Sequence, residues 1–119
     1  MVPAKLSLKS LTRRLVRCLE MHGMVVEALY LFGSHARREA TPDSDIDMLL
    51  VSPSFASQGF WARCAKVGES LTDLPEPVQL YPVTGAELRQ PERGGFLESI
   101  KPDLQLLYAR PPAKLRGRS

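Results

Sequence analysis

Apolar positions along the chain alternate between helical and strand spacing. Leu8, Leu11, Leu15 and Leu19 recur at intervals of three and four, which predicts an amphipathic first helix with Lys9, Arg13, Arg14 and Arg17 outside its stripe. Residues 25–32 are apolar except for Glu27, rich in β-branched and aromatic types, and stop at Gly33, as a buried strand would. Residues 45–51 read as a second strand. Phe60, Cys64, Val67 and Leu71 set the stripe of a second long helix, expected to begin near Ser57 and end before Pro75, with Trp61 beside the stripe. Residues 78–83 make a third strand, 85–88 a turn of helix, 96–100 another, and 104–108 a final strand. Gly94-Gly95 forms a joint before Phe96. The pattern is a coarse alternation of helices and about four strands, with no internal repeat.

Chemistry concentrates between the first two strands, in LYLFGSHARREATPDSDIDMLLV, residues 29–51. Gly33 can adopt backbone angles closed to other residues and lets the chain approach a ligand without a Cβ in the way. Ser34 suits the N-cap of a short helix over 35–39, whose free N–H groups and positive dipole end would face a phosphate. Pro42 and Asp43 end that helix and turn the chain. Side chains alternate faces along a strand, so Asp45 and Asp47 share one face and Ile46 and Met48 the other. Two like charges bordered by Leu49, Leu50 and Val51 repel in poor solvation, and a divalent cation resolves this. Magnesium takes one or two carboxylates plus substrate phosphates. A Gly-Ser dipeptide alone marks a turn, and Asp-x-Asp alone a solvated strand end; in this order, between two hydrophobic strands, they point to nucleotide chemistry.

GSHAR followed by SDIDMLLV resembles the GSxAR(G)…SDxD signature of the minimal nucleotidyltransferase domains, small members of the DNA polymerase β-like nucleotidyltransferase superfamily, and the resemblance spans roughly residues 6–108. It implies an α/β (α+β) nucleotidyltransferase fold, a mixed sheet of about four strands flanked by helices, and Mg²⁺-dependent transfer of a nucleoside monophosphate, AMP by expectation, from a nucleoside triphosphate to a hydroxyl on a protein or small molecule. By the same resemblance Gly33 and Ser34 hold the triphosphate, Arg37 and Ser44 join them in binding the nucleotide, and Asp45 and Asp47 are catalytic and bind metal. The planar fork of Arg37 suits phosphate oxygens. His35, next to the turn, is a second candidate for the phosphate or the base. Domains of this family commonly occur with a helical HEPN-type partner, which as antitoxins they modify or block.

Two positions depart from the family pattern. Arg38 stands where glycine often follows the Arg of GSxAR, which is expected to alter the turn rather than the chemistry. Most active members carry a third acidic residue on the next strand; here that strand reads Pro77-Val78-Gln79-Leu80-Tyr81, and Gln79 aligns with the acid. A glutamine offers a carbonyl oxygen but neither charge nor basicity, so of a two-metal site one position is fully formed. Glu76 falls on the opposite face of a regular strand. Two readings follow: an active enzyme, or a weakened or inactive nucleotide-binding module acting through a partner.

Composition adds boundaries. The 119 residues suffice for one domain, expected over 1–109, and 44% are apolar with no stretch long enough to span a membrane. The first ten residues lack the apolar core of a signal peptide. Cys18 and Cys64 fall singly within predicted helices and read as buried thiols, which suits the cytoplasm. The net charge of +3 resides in the tail 110–119: setting aside Arg110, Lys114, Arg116 and Arg118 leaves 12 basic against 13 acidic residues. The domain is therefore not basic, which argues against a nucleic-acid surface, and the Pro-containing tail is expected to be disordered. His22, before Gly23, reads as a helix-capping residue. No P-loop, Rossmann fingerprint or Ser-His-Asp arrangement is present. Self-association stays open.

Overall fold

The computed structural model describes residues 4–34, 36–38, 45–71 and 78–111, with backbone alone for 4–7. The first helix, α1 (Ala4–Met21), carries the leucine stripe inward: Leu11, Leu15 and Leu19 are buried and Leu8 packs at the edge. Each such leucine contributes about 1.5–3 kcal/mol when fully removed from water. The helix ends in a left-handed turn at Gly23 (φ 82°), where Gly23 N donates to Glu20 O at 3.0 Å and Met24 N to Leu19 O at 3.0 Å. That pairing satisfies carbonyls the helix leaves open. His22 adds a ring contact from Nδ1 to Cys18 O at 2.9 Å, the capping role its position predicts.

Four strands follow: β1 (Ala28–Phe32), β2 (Ile46–Val51), β3 (Val78–Val83) and β4 (Gln105–Ala109). Their order in the sheet is β3-β2-β1-β4. β1 runs antiparallel to both β2 and β4, whereas β2 and β3 are parallel. The parallel pair requires a crossover, supplied by a 3-10 turn (Pro53–Phe55) and helix α2 (Phe60–Ser70). Helices α3 (Gly85–Arg89) and α4 (Phe96–Ile100) and a second 3-10 turn (Lys101–Asp103) lead from β3 into β4. The mixed four-stranded sheet is the architecture the resemblance implies. Among the described residues no helix is long and apolar enough to cross a membrane.

Alternation along β2 divides the core between the two faces of the sheet. Ile46, Met48 and Leu50 pack with α1, Phe55 and Val67 of α2. Leu49 and Val51 pack with Phe32, Val83 and the residues Leu88, Leu97, Ile100 and Leu104. Asp47 belongs by alternation to this second face, so its carboxylate stands at the end of a row of buried side chains.

Several boundaries differ from expectation. α2 starts at Phe60 rather than near Ser57, because Ser57 has a φ of 63° and Gly59 is extended, neither compatible with helix. Phe60 was expected in the buried stripe. It is 55% exposed, and its ring meets the exposed Trp61 edge-on. Val67 is buried and Cys64 and Leu71 are half-buried. Cys18 and Cys64 are both free and half-buried. β2 begins one residue later than expected, with Asp45 just ahead of it, and β4 is shifted by one residue.

Arg63 fastens α2 to the loop after β3. It donates to both carboxylate oxygens of Glu87, at 2.8 and 2.9 Å, and to the carbonyls of Pro82 and Gln58. Glu87 also completes a capping box with Thr84 at the start of α3. Its hydrogen bonds to Arg63 hold the Glu87 carboxyl below the usual range, against the opposing effect of burial. Arg110, at the head of the basic tail, extends the ladder past β4 through a backbone bond to Glu27 O at 2.8 Å. Residues 112–119 lie outside the described residues.

Candidate nucleotide and metal site

The site forms where β1 ends and β2 and β3 begin. Phe32, the last residue of β1, is the register partner of Asp47, and Asp47 is the register partner of Gln79. Gly33 continues from Phe32 with a φ of 78°. A Cβ built on Gly33 would stand 2.5 Å from Asp47 Oδ2, with Asp47 Cβ and Cγ both at 3.3 Å. Two independent constraints therefore select glycine here: a left-handed backbone and the carboxylate pressed against it.

Asp45, just ahead of β2, and Gln79 on β3 join them. Gln79 Nε2 donates to Asp45 Oδ2 at 3.2 Å. The amide thus stands beside the carboxylate pair, neutral where a third acid would be charged. Burial, then the negative charge of Asp47 and Asp45, pushes the Tyr81 phenol above its usual range. At neutral pH it stays protonated, an uncharged neighbour of the acidic pair.

The segment after Gly33 differs from the helix expected over 35–39. Residues 36–38 form a turn rather than part of a helix, closed by Arg37 N donating to Gly33 O at 3.1 Å. Arg38 has a φ of 61°. A left-handed conformation costs a residue with a Cβ about 1–2 kcal/mol, and this is the position where the resemblance led one to expect glycine. Residues 35 and 39, at the two ends of the predicted helix, lie outside the described residues, as do Ser44 and Glu76.

Arg37 sits on the rim with its guanidinium 3.6 Å from Asp103 Oδ2, both side chains well exposed. An exposed pair of this kind contributes little and can be exchanged for another anion. Gln105 Nε2 donates to Ala36 O at 2.8 Å and pins the turn to the start of β4. Gly33, Asp45, Asp47 and Gln79 therefore come together, with Ser34 in the adjoining turn and Arg37 at the edge.

Among the described residues no three or more His, Cys, Asp or Glu gather as a metal-holding group. The acidic set is the Asp45–Asp47 pair, and a pair of carboxylates is what magnesium takes when substrate phosphates complete its shell. The donor chemistry fits that cation. A groove of about 950 Å³ lies elsewhere, between α1 and β4, and includes none of these residues.

Sequence reasoning missed the aromatic surroundings of the site. Phe32 contacts Tyr81 and Phe96 edge-on, with ring centroids 5.2 and 5.7 Å apart. Tyr81 shares the face of Gln79 two residues away, a signal that strand periodicity carries. Phe96 reaches the site only through the loop after α3, and no local pattern announces that. Asp103, the partner of Arg37, is likewise brought in by tertiary folding.

Comparison with known proteins agrees with this geometry. A search of curated proteins finds no match. Among solved structures, the crystal structure of a candidate nucleotidyltransferase from Sulfolobus solfataricus superimposes with a TM-score of 0.59 at 20% identity, covering 92% of this chain and 91% of that one. At that identity the likeness establishes the fold. The family model for the nucleotidyltransferase domain matches residues 13–114. The chain therefore belongs to the nucleotidyltransferase domain family.

Proposed function

We propose that this protein is a Mg²⁺-dependent nucleotidyltransferase that moves a nucleoside monophosphate, AMP, from ATP to a hydroxyl on a protein or small molecule. The observation that carries the reading is the contact of Gly33 with the Asp47 carboxylate beside Asp45: a turn with no side chain in the way, set against two acids. When bound, Mg²⁺ would neutralise phosphate charge and lower the barrier to attack by the acceptor oxygen. Asp45 and Asp47 would hold it. The backbone at Gly33 and Ser34 would bring N–H groups against the triphosphate, and Arg37 would exchange Asp103 for a phosphate oxygen. Ser44 belongs by motif to the same nucleotide-binding set. On this reading 1–109 form one catalytic unit in the cytoplasm and 110–119 a basic tail.

One observation favours a second reading. The Gln79 amide bonded to Asp45 orients that carboxylate but accepts no proton at neutral pH. A weakened domain of this kind would bind nucleotide and act through a partner, a HEPN-type helical protein or a second copy of itself.

Substituting Gly33 tests the site itself. Gly33→Val places a branched side chain in a left-handed conformation and drives it into Asp47. The variant is expected to stay folded with a lowered Tm, at a cost of at least about 1–2 kcal/mol, and to lose Mg·ATP binding in a calorimetric titration. A folded Gly33→Val protein with parental affinity would make the turn purely structural.

A further inference from the structure

The half-exposed ring of Phe96 is left unexplained by packing. It is 49% exposed, although its centroid lies 5.2 Å from that of Tyr81 and 5.7 Å from that of Phe32, both of which belong to the core of that sheet face. An apolar ring serving the core alone would gain by sinking further into it. Instead the chain holds it at the surface. Gly95 N donates to Glu92 O at 2.9 Å, Gly94 N to Glu98 Oε1 at 2.7 Å, and Ser99 N to Gly95 O at 3.2 Å. A Cβ on Gly95 would meet Glu92 O at 3.1 Å, so the approach to Phe96 is tightly built.

The ring also has a defined address. Phe32 is the residue before Gly33 and the register partner of Asp47, so Phe96 stands one side chain away from the turn and the carboxylates. Phe96 and Tyr81 are tilted by only 31° to one another, so the half-exposed Phe96 ring is backed by a second ring that itself lies beside the acidic pair. Acidic surroundings repel a second anion but accept a flat, uncharged heterocycle.

We propose that Phe96, backed by Tyr81 and Phe32, is the stacking platform for the base of the bound nucleotide, so that the site recognises a nucleoside triphosphate and not merely a polyphosphate. The inference rests on the proposed nucleotidyltransferase reading of the site. Stacking on an aromatic face tolerates any base, since every base has a π-face. The platform would therefore add affinity without strong choice among ATP, GTP, CTP and UTP.

Calorimetric titrations of the full-length chain with Mg·ATP and with Mg·tripolyphosphate separate the platform from the phosphate site. Phe96→Ala should weaken Mg·ATP binding by about 5- to 150-fold, the range typical of removing a base-stacking aromatic, and leave tripolyphosphate within about twofold. Phe96→Leu, which keeps apolar contact with Tyr81 and removes the π-face, should show the same selective loss, and Phe96→Trp should restore ATP affinity. Unchanged ATP affinity in Phe96→Ala and Phe96→Leu would overturn the proposal. So would equal losses for both ligands, which would mark Phe96 as general support for the site. If the parent binds tripolyphosphate as tightly as ATP, the platform is refuted and the metal–phosphate site stands; if it binds neither, both fall together.

Discussion

Gln79→Glu is expected to raise the rate of nucleotidyl transfer by about 10²- to 10⁴-fold, the range typical of a positioned general base. In the parent, Gln79 Nε2 donates to Asp45 Oδ2 at 3.2 Å, an interaction that is neutral on one side and carries no basicity. A carboxylate at the same place can accept the proton of the attacking hydroxyl and share in holding the cation. It also adds a third negative charge to the pair formed by Asp45 and Asp47. A third like charge there is repulsive, so the variant should have a lower Tm than the parent in chelator and regain it on adding Mg²⁺. That Mg²⁺-dependent recovery is a readout that simple repacking at position 79 would not produce. A fast parent slowed by the substitution would mean that Gln79 does not stand in for a missing base, and Glu76 would be the first alternative to test.

Asp47→Asn carries the second large effect. Asp47 is wedged between Gly33 and Gln79 by strand register, so the isosteric amide can keep the geometry while removing the charge. Loss of even a residue that supports a metal ligand commonly costs 10- to 100-fold in metal affinity; loss of the ligand itself should cost at least about as much. Mg·ATP affinity measured by calorimetry should fall by that amount in Asp47→Asn and in Asp45→Asn. ATP affinity measured in chelator should change little. Unchanged Mg·ATP affinity in both variants would remove the carboxylates from the site.

The strands and the long helices were legible because their signals are local. The leucine stripe of α1 and the alternation in residues 45–51 report burial directly, and β2 aligned within one residue of expectation. The Gly33, Asp45 and Asp47 constellation was legible too, since one turn and one strand carry all three. The third strand placed Gln79 by register against Asp47, as its position in the chain suggested. What the sequence concealed depends on tertiary closure. The N-terminal start of α2 was misplaced because a positive φ at Ser57 leaves no mark in hydrophobic periodicity. Phe60 has the helical spacing of a core position, yet it is 55% exposed while Arg63 in the same turn makes the inward contacts. Phe96 and Asp103 reach the site from residues more than fifty positions away from the Gly-Ser turn, through a loop of short helices whose path no local pattern dictates.

The most direct test of nucleotidyl transfer is the fate of two labels on ATP. The full-length chain is incubated with Mg²⁺, a hydroxyl-bearing acceptor fraction, and ATP labelled at either the α or the γ phosphate. The account predicts that α label becomes covalently attached to an acceptor while γ label leaves in pyrophosphate, that Gln79→Glu amplifies the transfer, and that Asp47→Asn abolishes it. Attachment of γ label, or α-label transfer undiminished in Asp47→Asn, would contradict it.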